Sequence, residues 1–219
     1  MKVVFIDAKS NVKVSLSNQA MKRLPQRIAL FTTTQYLDQL GKIKMQLTKA
    51  GKKVLLLKTR HTITPGHILG CNIQEFKEMF DAFLFVGDGQ FHPIALAIKN
   101  TQPVYIYNPH SKKLTKLDNL EIKKYQNRLN AAKAAFARAI HVGVLVSTKH
   151  GQNQLSRAKK LEKKYPDKEF YFLVFNTLDY SQLENFPYIE FFVNTACARI
   201  PYDDGDKVGK PVINLEDVL

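Results

Sequence analysis

The chain is 219 residues long and 45% hydrophobic, enough for one large domain or two small ones with a substantial core. Its 33 Lys and Arg against 19 Asp and Glu give a formal net charge of +14, a balance that favours an acidic partner such as nucleic acid or a nucleoprotein. No apolar run nears membrane-span length, Met1-Lys2 leads straight into Val3-Val4-Phe5-Ile6 with no secretory pattern, and the two cysteines are far apart. No membrane span, no leader, no disulfide scaffold and a reducing cytoplasm are therefore expected.

In chain order, residues 2–7 read as a strand, 8–23 are polar with weak pattern, and Pro25 restarts the chain. Residues 27–31 are predicted as a strand and 32–35 as a polar turn; Leu37, Leu40, Ile43, Leu47 and Ala50 then fall at helical spacing up to Gly51. Residues 54–57 are a strand, 60–72 a loop with Pro65-Gly66 and Gly70-Cys71, and 75–80 a short helix. The apolar Ala82–Val86 is long enough for one buried strand; Gly87-Asp88-Gly89-Gln90-Phe91-His92-Pro93 then turns into the apolar 94–98 as strand, tight turn and helix. A further strand, Val104–Tyr107, stops at Asn108-Pro109.

Residues 118–139 form a long helical stretch, with Leu129, Ala132, Ala135, Phe136 and Ala139 on its apolar side, and read as a connector. The pattern then restarts: strand 142–146, polar turn 147–152, helix 155–165, strand 170–175, and strand 188–193 ending in Asn194-Thr195-Ala196-Cys197. Residues 27–35 correspond to 142–152, and 82–89 to 189–197. The expected fold is α/β: two similar modules with mostly parallel sheets flanked by helices, related by internal duplication. The expected boundaries are 1–24, 25–117 and 118–219.

The C-terminal ends of parallel strands are where such folds bind ligands, and Gly87 and Gly89 let the backbone approach one there. The alternative for that stretch is a plain strand-to-helix turn. Each module carries one cysteine beside a sharp turn, Cys71 and Cys197. Lone cysteines often serve as small buried hydrophobes, yet two in matching modules meet if the modules face each other. Two thiolates fall short of a closed zinc site or a four-thiolate iron–sulfur site, so an open or shared site is the more natural reading. Lys159, Lys160, Lys163 and Lys164 are the densest basic group; without an aromatic stacking motif they read as a solvated helix face before a nucleic-acid patch.

Four motifs carry a family resemblance: Gly66-His67-Ile68-Leu69-Gly70-Cys71-Asn72, Val86-Gly87-Asp88-Gly89-Gln90-Phe91-His92-Pro93, Thr148-Lys149-His150-Gly151-Gln152, and Asn194-Thr195-Ala196-Cys197-Ala198-Arg199-Ile200 followed by Asp203-Asp204. They resemble the archaeal 2-(3-amino-3-carboxypropyl)histidine synthase family, which performs the first step of diphthamide biosynthesis, and the resemblance runs over nearly the whole chain. It implies three similar modules, each giving one cysteine to a [4Fe–4S] cluster, with S-adenosylmethionine on the fourth iron. The implied reaction cleaves the bond from sulfur to the methionine γ-carbon, leaves methylthioadenosine, and transfers the 3-amino-3-carboxypropyl group to a histidine of translation elongation factor 2. Cys71 matches the second-module cysteine and Cys197 the third.

The resemblance does not fix the contacts to S-adenosylmethionine. The turns assign them to Gly87, Asp88 and Gly89 at one strand end, with Gln35, Thr148, Gly151 and Gln152 lining the same mouth. Arg199 offers a bidentate contact to the methionine carboxylate, or else a salt bridge. His92 is a contact or a structural hydrogen bonder, and Asp203 and Asp204 cap a turn or reach the site. The chain departs from the family in having two cysteines and two modules, with 1–24 looking like the tail of the first, and in Ala198, where proline is frequent. The expectation is a split enzyme whose third thiolate comes from a companion chain, or a homo-oligomer, served by an electron donor. The alternatives are a non-catalytic subunit that supports a partner's cluster, and a basic RNA-binding module.

Overall fold

The computed structural model describes Val4, Ile6 and residues 8–219, so the strand expected over 2–7 lies mostly outside the described residues. The chain divides into two compact units, 1–122 and 123–219, each built on its own sheet.

Unit 1 contains α1 (Asn18–Arg23), β1 (Arg27–Thr32), α2 (Leu40–Lys49), β2 (Lys53–Leu55), β3 (Ala82–Val86), α3 (Phe91–Ala97), β4 (Val104–Tyr107) and β5 (Leu114–Lys116). Its strand order is β2-β1-β3-β4-β5, parallel except for the antiparallel edge strand β5. β3 is buried at every position and β1 at all but its first, as expected for parallel strands covered on both faces. Leu40, Ile43 and Leu47 form one stripe of α2 and meet Ile28, Leu30, Leu84 and Val86 of the sheet. The helix expected from Leu37 begins at Leu40, and residues 34–39 are a 3-10 turn leading into it.

Residues 8–24 add to the same unit. Ser17 caps α1 by accepting the Ala20 N–H at 3.2 Å, and Leu16, Ala20, Met21 and Leu24 join its core. Ahead of α1 the chain lies along α2 like a strap. Gln39 accepts from Val14 N–H at 2.8 Å and donates to Val12 O at 2.8 Å; Gln46 accepts from Leu16 N–H at 3.0 Å and donates to Leu16 O at 2.8 Å.

The helix expected over 75–80 does not form. The Phe76 N–H donates to Asn100 Oδ1 at 3.0 Å, while the Asn100 amide donates to Gln74 O at 2.9 Å and Leu96 O at 2.7 Å. Phe76 and Phe80 pack their rings on Phe83, with centroids at 5.6 and 4.7 Å. Their i, i+4 spacing serves a ring cluster, and an asparagine from beyond α3 supplies the hydrogen bonds that a helix would have made.

Asp81 ties the starts of β1 and β3 together. Its carboxylate accepts from Arg27 N–H at 2.8 Å and from the Arg27 guanidinium at 2.9 and 2.7 Å. Those hydrogen bonds hold the carboxyl below its ordinary value. A depressed carboxylate stabilises the fold fully above its unfolded pKa and loses that contribution as pH falls through the folded value. Asp81→Asn is therefore expected to lower the urea midpoint at neutral pH and to flatten the acid limb below about pH 4, measured by denaturation across that range.

Unit 2 is formed by most of α4 (Asn119–Arg138), then β6 (His141–Ser147), α5 (Leu155–Ala158), α6 (Lys160–Lys164), β7 (Glu169–Phe175), β8 (Phe191–Asn194), α7 (Ile200–Asp203) and β9 (Val212–Asn214). Its order is β7-β6-β8-β9, all parallel. That repeats the β2-β1-β3-β4 order of unit 1, so two mostly parallel sheets share one topology. Ala132 and Phe136 of α4 pack with Val142, Val144 and Phe191. Gly143 makes room for an aromatic ring: a Cβ there would lie 2.6 Å from Phe192. The helix expected over 155–165 is split by a turn at Lys159 into α5 and α6.

Candidate functional site

In unit 1, β1 and β3 end side by side at Thr32 and Val86, and the Thr32 hydroxyl donates to Val86 O at 2.7 Å. The loop that carries Cys71 is fastened to this end of the sheet. Thr32 N–H donates to Gly66 O at 2.8 Å, and Ile68 N–H donates back to Thr32 O at 2.9 Å. Gly66 has φ +83°, and a Cβ on it would meet Leu40 at 2.6 Å, so glycine is needed where the loop joins the sheet. The chain then turns through 69–72, closed by Asn72 N–H to Leu69 O at 3.0 Å. Cys71 is half-buried on this turn.

Phe91, in the first turn of α3, lies against Gly70 so closely that a Cβ would come within 1.9 Å of its ring. This contact sets the Cys71 turn beside the 87–90 turn. Gly87 is buried and its N–H donates to Tyr107 O at 3.0 Å. Asp88 is exposed and accepts from the Asn108 amide at 3.1 Å. Gly89 takes φ +67°, a conformation open mainly to glycine. His92 is half-buried and stacks on Phe85 with centroids 5.9 Å apart. Gln35 is exposed beyond the end of β1, where its carbonyl accepts from Ser10 N–H at 2.9 Å.

In unit 2 the corresponding turns follow β6 and β8. Thr148 donates its N–H to Phe175 O at 2.8 Å, Gly151 has φ +77°, and Gln152 N–H donates to Lys149 O at 3.0 Å. Thr148 and Gly151 are exposed, Gln152 half-buried. The Gln154 amide donates to Thr195 O at 3.1 Å and so joins this turn to the half-buried Cys197 loop. Two buried asparagines clamp that loop. Asn194 donates to Cys197 O at 2.9 Å and to Asn214 Oδ1 at 2.7 Å, and Asn214 donates to Ala198 O at 2.9 Å.

Arg199 is 5% exposed, and its guanidinium forks onto Asp203, Nε to Oδ2 and Nη2 to Oδ1, both at 2.8 Å. Asp204 pairs with Lys207 at 2.7 Å; that hydrogen bond is the main reason its carboxyl is held low, and a hydrogen bond with Tyr180 adds to it. Burial first, then Asp204 and then Cys197, push the Tyr180 phenol up to about 12. Sequence reasoning gave no role to Asn72, Asn194, Asn214 or Tyr180. Asn72 and Asn194 lie within two of the quoted motifs, but nothing in their spacing marks a buried amide.

Among the described residues, no three His, Cys, Asp or Glu side chains gather as a metal-binding set, and no helix is long and apolar enough to cross a membrane. Three buried side-chain polar atoms lack a hydrogen-bond partner there: Thr33 Oγ1, Asn72 Nδ2 and Tyr202 Oη. Asn72 adjoins Cys71, and Thr33 follows the end of β1 to which the Cys71 loop is fastened.

A family model described as "Putative diphthamide synthesis protein" matches residues 1–218. The sequence is 34% identical over 201 residues to a 2-(3-amino-3-carboxypropyl)histidine synthase of Pyrococcus horikoshii, covering 90% of this chain and 58% of that one. It is 33% identical over 175 residues to the synthase of Methanocaldococcus jannaschii, covering 76% and 51%. The crystal structure of Dph2 from Pyrococcus horikoshii with a 4Fe-4S cluster superposes with a TM-score of 0.74 at 33% identity, covering 91% of this chain and 58% of that one. The chain thus spans a little over half the length of these relatives.

Proposed function

The chain belongs to the diphthamide synthesis protein family, and on that premise we propose that Cys71 and Cys197 are two thiolate ligands of a [4Fe–4S] cluster in a 2-(3-amino-3-carboxypropyl)histidine synthase. The observation that carries this reading is the pair of half-buried cysteine turns, each held at the C-terminal ends of β1 and β3 or of β6 and β8. The residues fit such a group. Thiolate is the ligand that iron–sulfur clusters take, and the unpaired Asn72 amide is a donor that an anionic cluster would satisfy. When bound, the cluster supplies the electron and the open iron for cleaving S-adenosylmethionine at its bond from sulfur to the γ-carbon.

The chain's own part is to hold and orient. The backbone of Gly87 and Gly89, with Asp88, takes the polar groups of S-adenosylmethionine, and Gln35 and His92 border that end of unit 1. Thr148, Gly151 and Gln152 do the same in unit 2. Arg199, two residues after Cys197, commits its guanidinium fork to Asp203, which favours the salt-bridge reading of this residue, a brace for the Cys197 loop. Units 1 and 2 act as the family's second and third modules, joined within 118–122. Two thiolates are one fewer than leaves a single iron open, and the sequence holds two cysteines. The third thiolate therefore comes from polypeptide outside these 219 residues, in a companion chain or further sequence. The acceptor is a histidine of translation elongation factor 2 in the cytoplasm, and an electron donor completes the system.

The test is anaerobic reconstitution with the polypeptide that brings the third cysteine, a reductant, elongation factor 2 and S-adenosylmethionine labelled in its carboxypropyl carbons. Methylthioadenosine release with label on the factor is the expected result. Iron uptake without either product would point to a supporting subunit, and a colourless, iron-free assembly would refute the cluster.

A further inference from the structure

We propose that the side-chain amide of Asn72 donates a hydrogen bond to the cluster held by Cys71, at a cluster sulfide or the Cys71 thiolate; this rests on the cluster reading above. Asn72 is 2% exposed. Its Oδ1 accepts from Leu69 N–H at 2.7 Å and from the Thr59 hydroxyl at 3.1 Å. The backbone N–H can only donate, so the oxygen must face it and the orientation of the amide is settled. The NH2 end is then buried without an acceptor.

An unpaired buried donor is costly, and the fold gives Asn72 no freedom to relieve it. Thr59 is itself buried and bonded to Thr62 at 2.8 Å, so the anchor of the amide is rigid. The contrast with unit 2 is informative. Asn194, three residues before Cys197, places both of its Nδ2 hydrogen bonds within the chain, on Cys197 O and Asn214 Oδ1. Of these two asparagines, the one beside Cys71 keeps a buried donor in reserve. What it lacks is an acceptor, and sulfide and thiolate are acceptors carrying negative charge. Hydrogen bonds to cluster sulfurs favour the reduced, more negative state and tune the potential.

The experiment uses the cluster-loaded assembly with asparagine 15N-labelled at the side-chain amide only, and pulsed EPR of the reduced cluster. A weak nitrogen coupling is expected in the wild type and should vanish in Asn72→Asp, which keeps the Oδ1 acceptor and removes the donor. A redox titration of the same samples should show the reduction equilibrium shifted at least tenfold toward the oxidised form, about 59 mV for one electron. The added charge alone moves the potential, so the nitrogen coupling decides. No coupling in the wild type, or one that persists in Asn72→Asp, overturns the proposal. If Asn72→Asp takes up no iron, Asn72→Gln keeps the amide but displaces it, and a persisting coupling overturns the proposal equally. A wild-type assembly without iron fails earlier and removes the cluster reading itself.

Discussion

Alanine at Phe83 is expected to cost unit 1 about 3–5 kcal/mol, the range for emptying a fully buried aromatic site. Phe83 is 0% exposed on the central strand β3, and its ring is the hub of a cluster with Phe31, Phe76 and Phe80 at 6.0, 5.6 and 4.7 Å. One wall of the resulting cavity is the sheet, which cannot move inward without breaking its ladder. The other wall is residues 75–80, which have no helix of their own and are held by Asn100 and by these rings. The urea midpoint should fall with little change in slope. Amide exchange should accelerate first at Phe76 and around Leu69, because the loosened segment runs directly out of the Cys71 turn. A variant within about 1 kcal/mol of the wild type would show that the ring cluster does not support that loop.

The parts of this molecule that were legible in the sequence are those whose signal is local. β1, β3, β6 and β8 are uninterrupted apolar runs because both faces of a parallel strand are covered, and their recurrence exposed the duplication. β5, β9 and α7 span three or four residues, too few for a period to register. In and around α1 the core positions Leu16, Ala20, Met21 and Leu24 follow a helical spacing, but Ser17, Asn18, Gln19, Lys22 and Arg23 between them drown it. At 75–80 the same spacing misled, because tertiary contacts with Phe83 and Asn100 outweigh the local preference. The candidate site divides along the same line. Cys71 and Cys197 announce themselves by the turns they occupy, and Asp203 sits four residues after Arg199, where a helical ion pair is expected. Asn214 lies 20 residues from Asn194, so their bond exists only once β8 and β9 have paired.

Serine at either Cys71 or Cys197 is expected to abolish stable cluster binding in the assembled enzyme while leaving the chain folded. Both cysteines are half-buried on turns outside the packed cores, and replacing sulfur by oxygen there changes no backbone contact: the Cys197 carbonyl keeps its bond from Asn194, and the Cys71 carbonyl keeps its bond from Ile73 N–H at 2.9 Å. The change in unfolding free energy, read from urea denaturation, should stay within about 0.5 kcal/mol, the usual range for substitutions away from a packed core. The effect on iron is of another order. Iron–sulfur clusters select soft thiolate ligands, and a serine hydroxyl is a hard, poorly ionised donor. Removing one of three protein thiolates should reduce affinity by more than the roughly 10–100-fold typical of changes outside the ligand shell. Iron and sulfide content together with Mössbauer spectra read the loss directly, and methylthioadenosine release should drop to background in the same samples. On the proposed ligand set the two variants should behave alike, since each removes the one thiolate of its module. A Cys71→Ser protein that keeps its full iron content, beside a Cys197→Ser protein that loses it, would remove unit 1 from the ligand set and confine its role to holding S-adenosylmethionine.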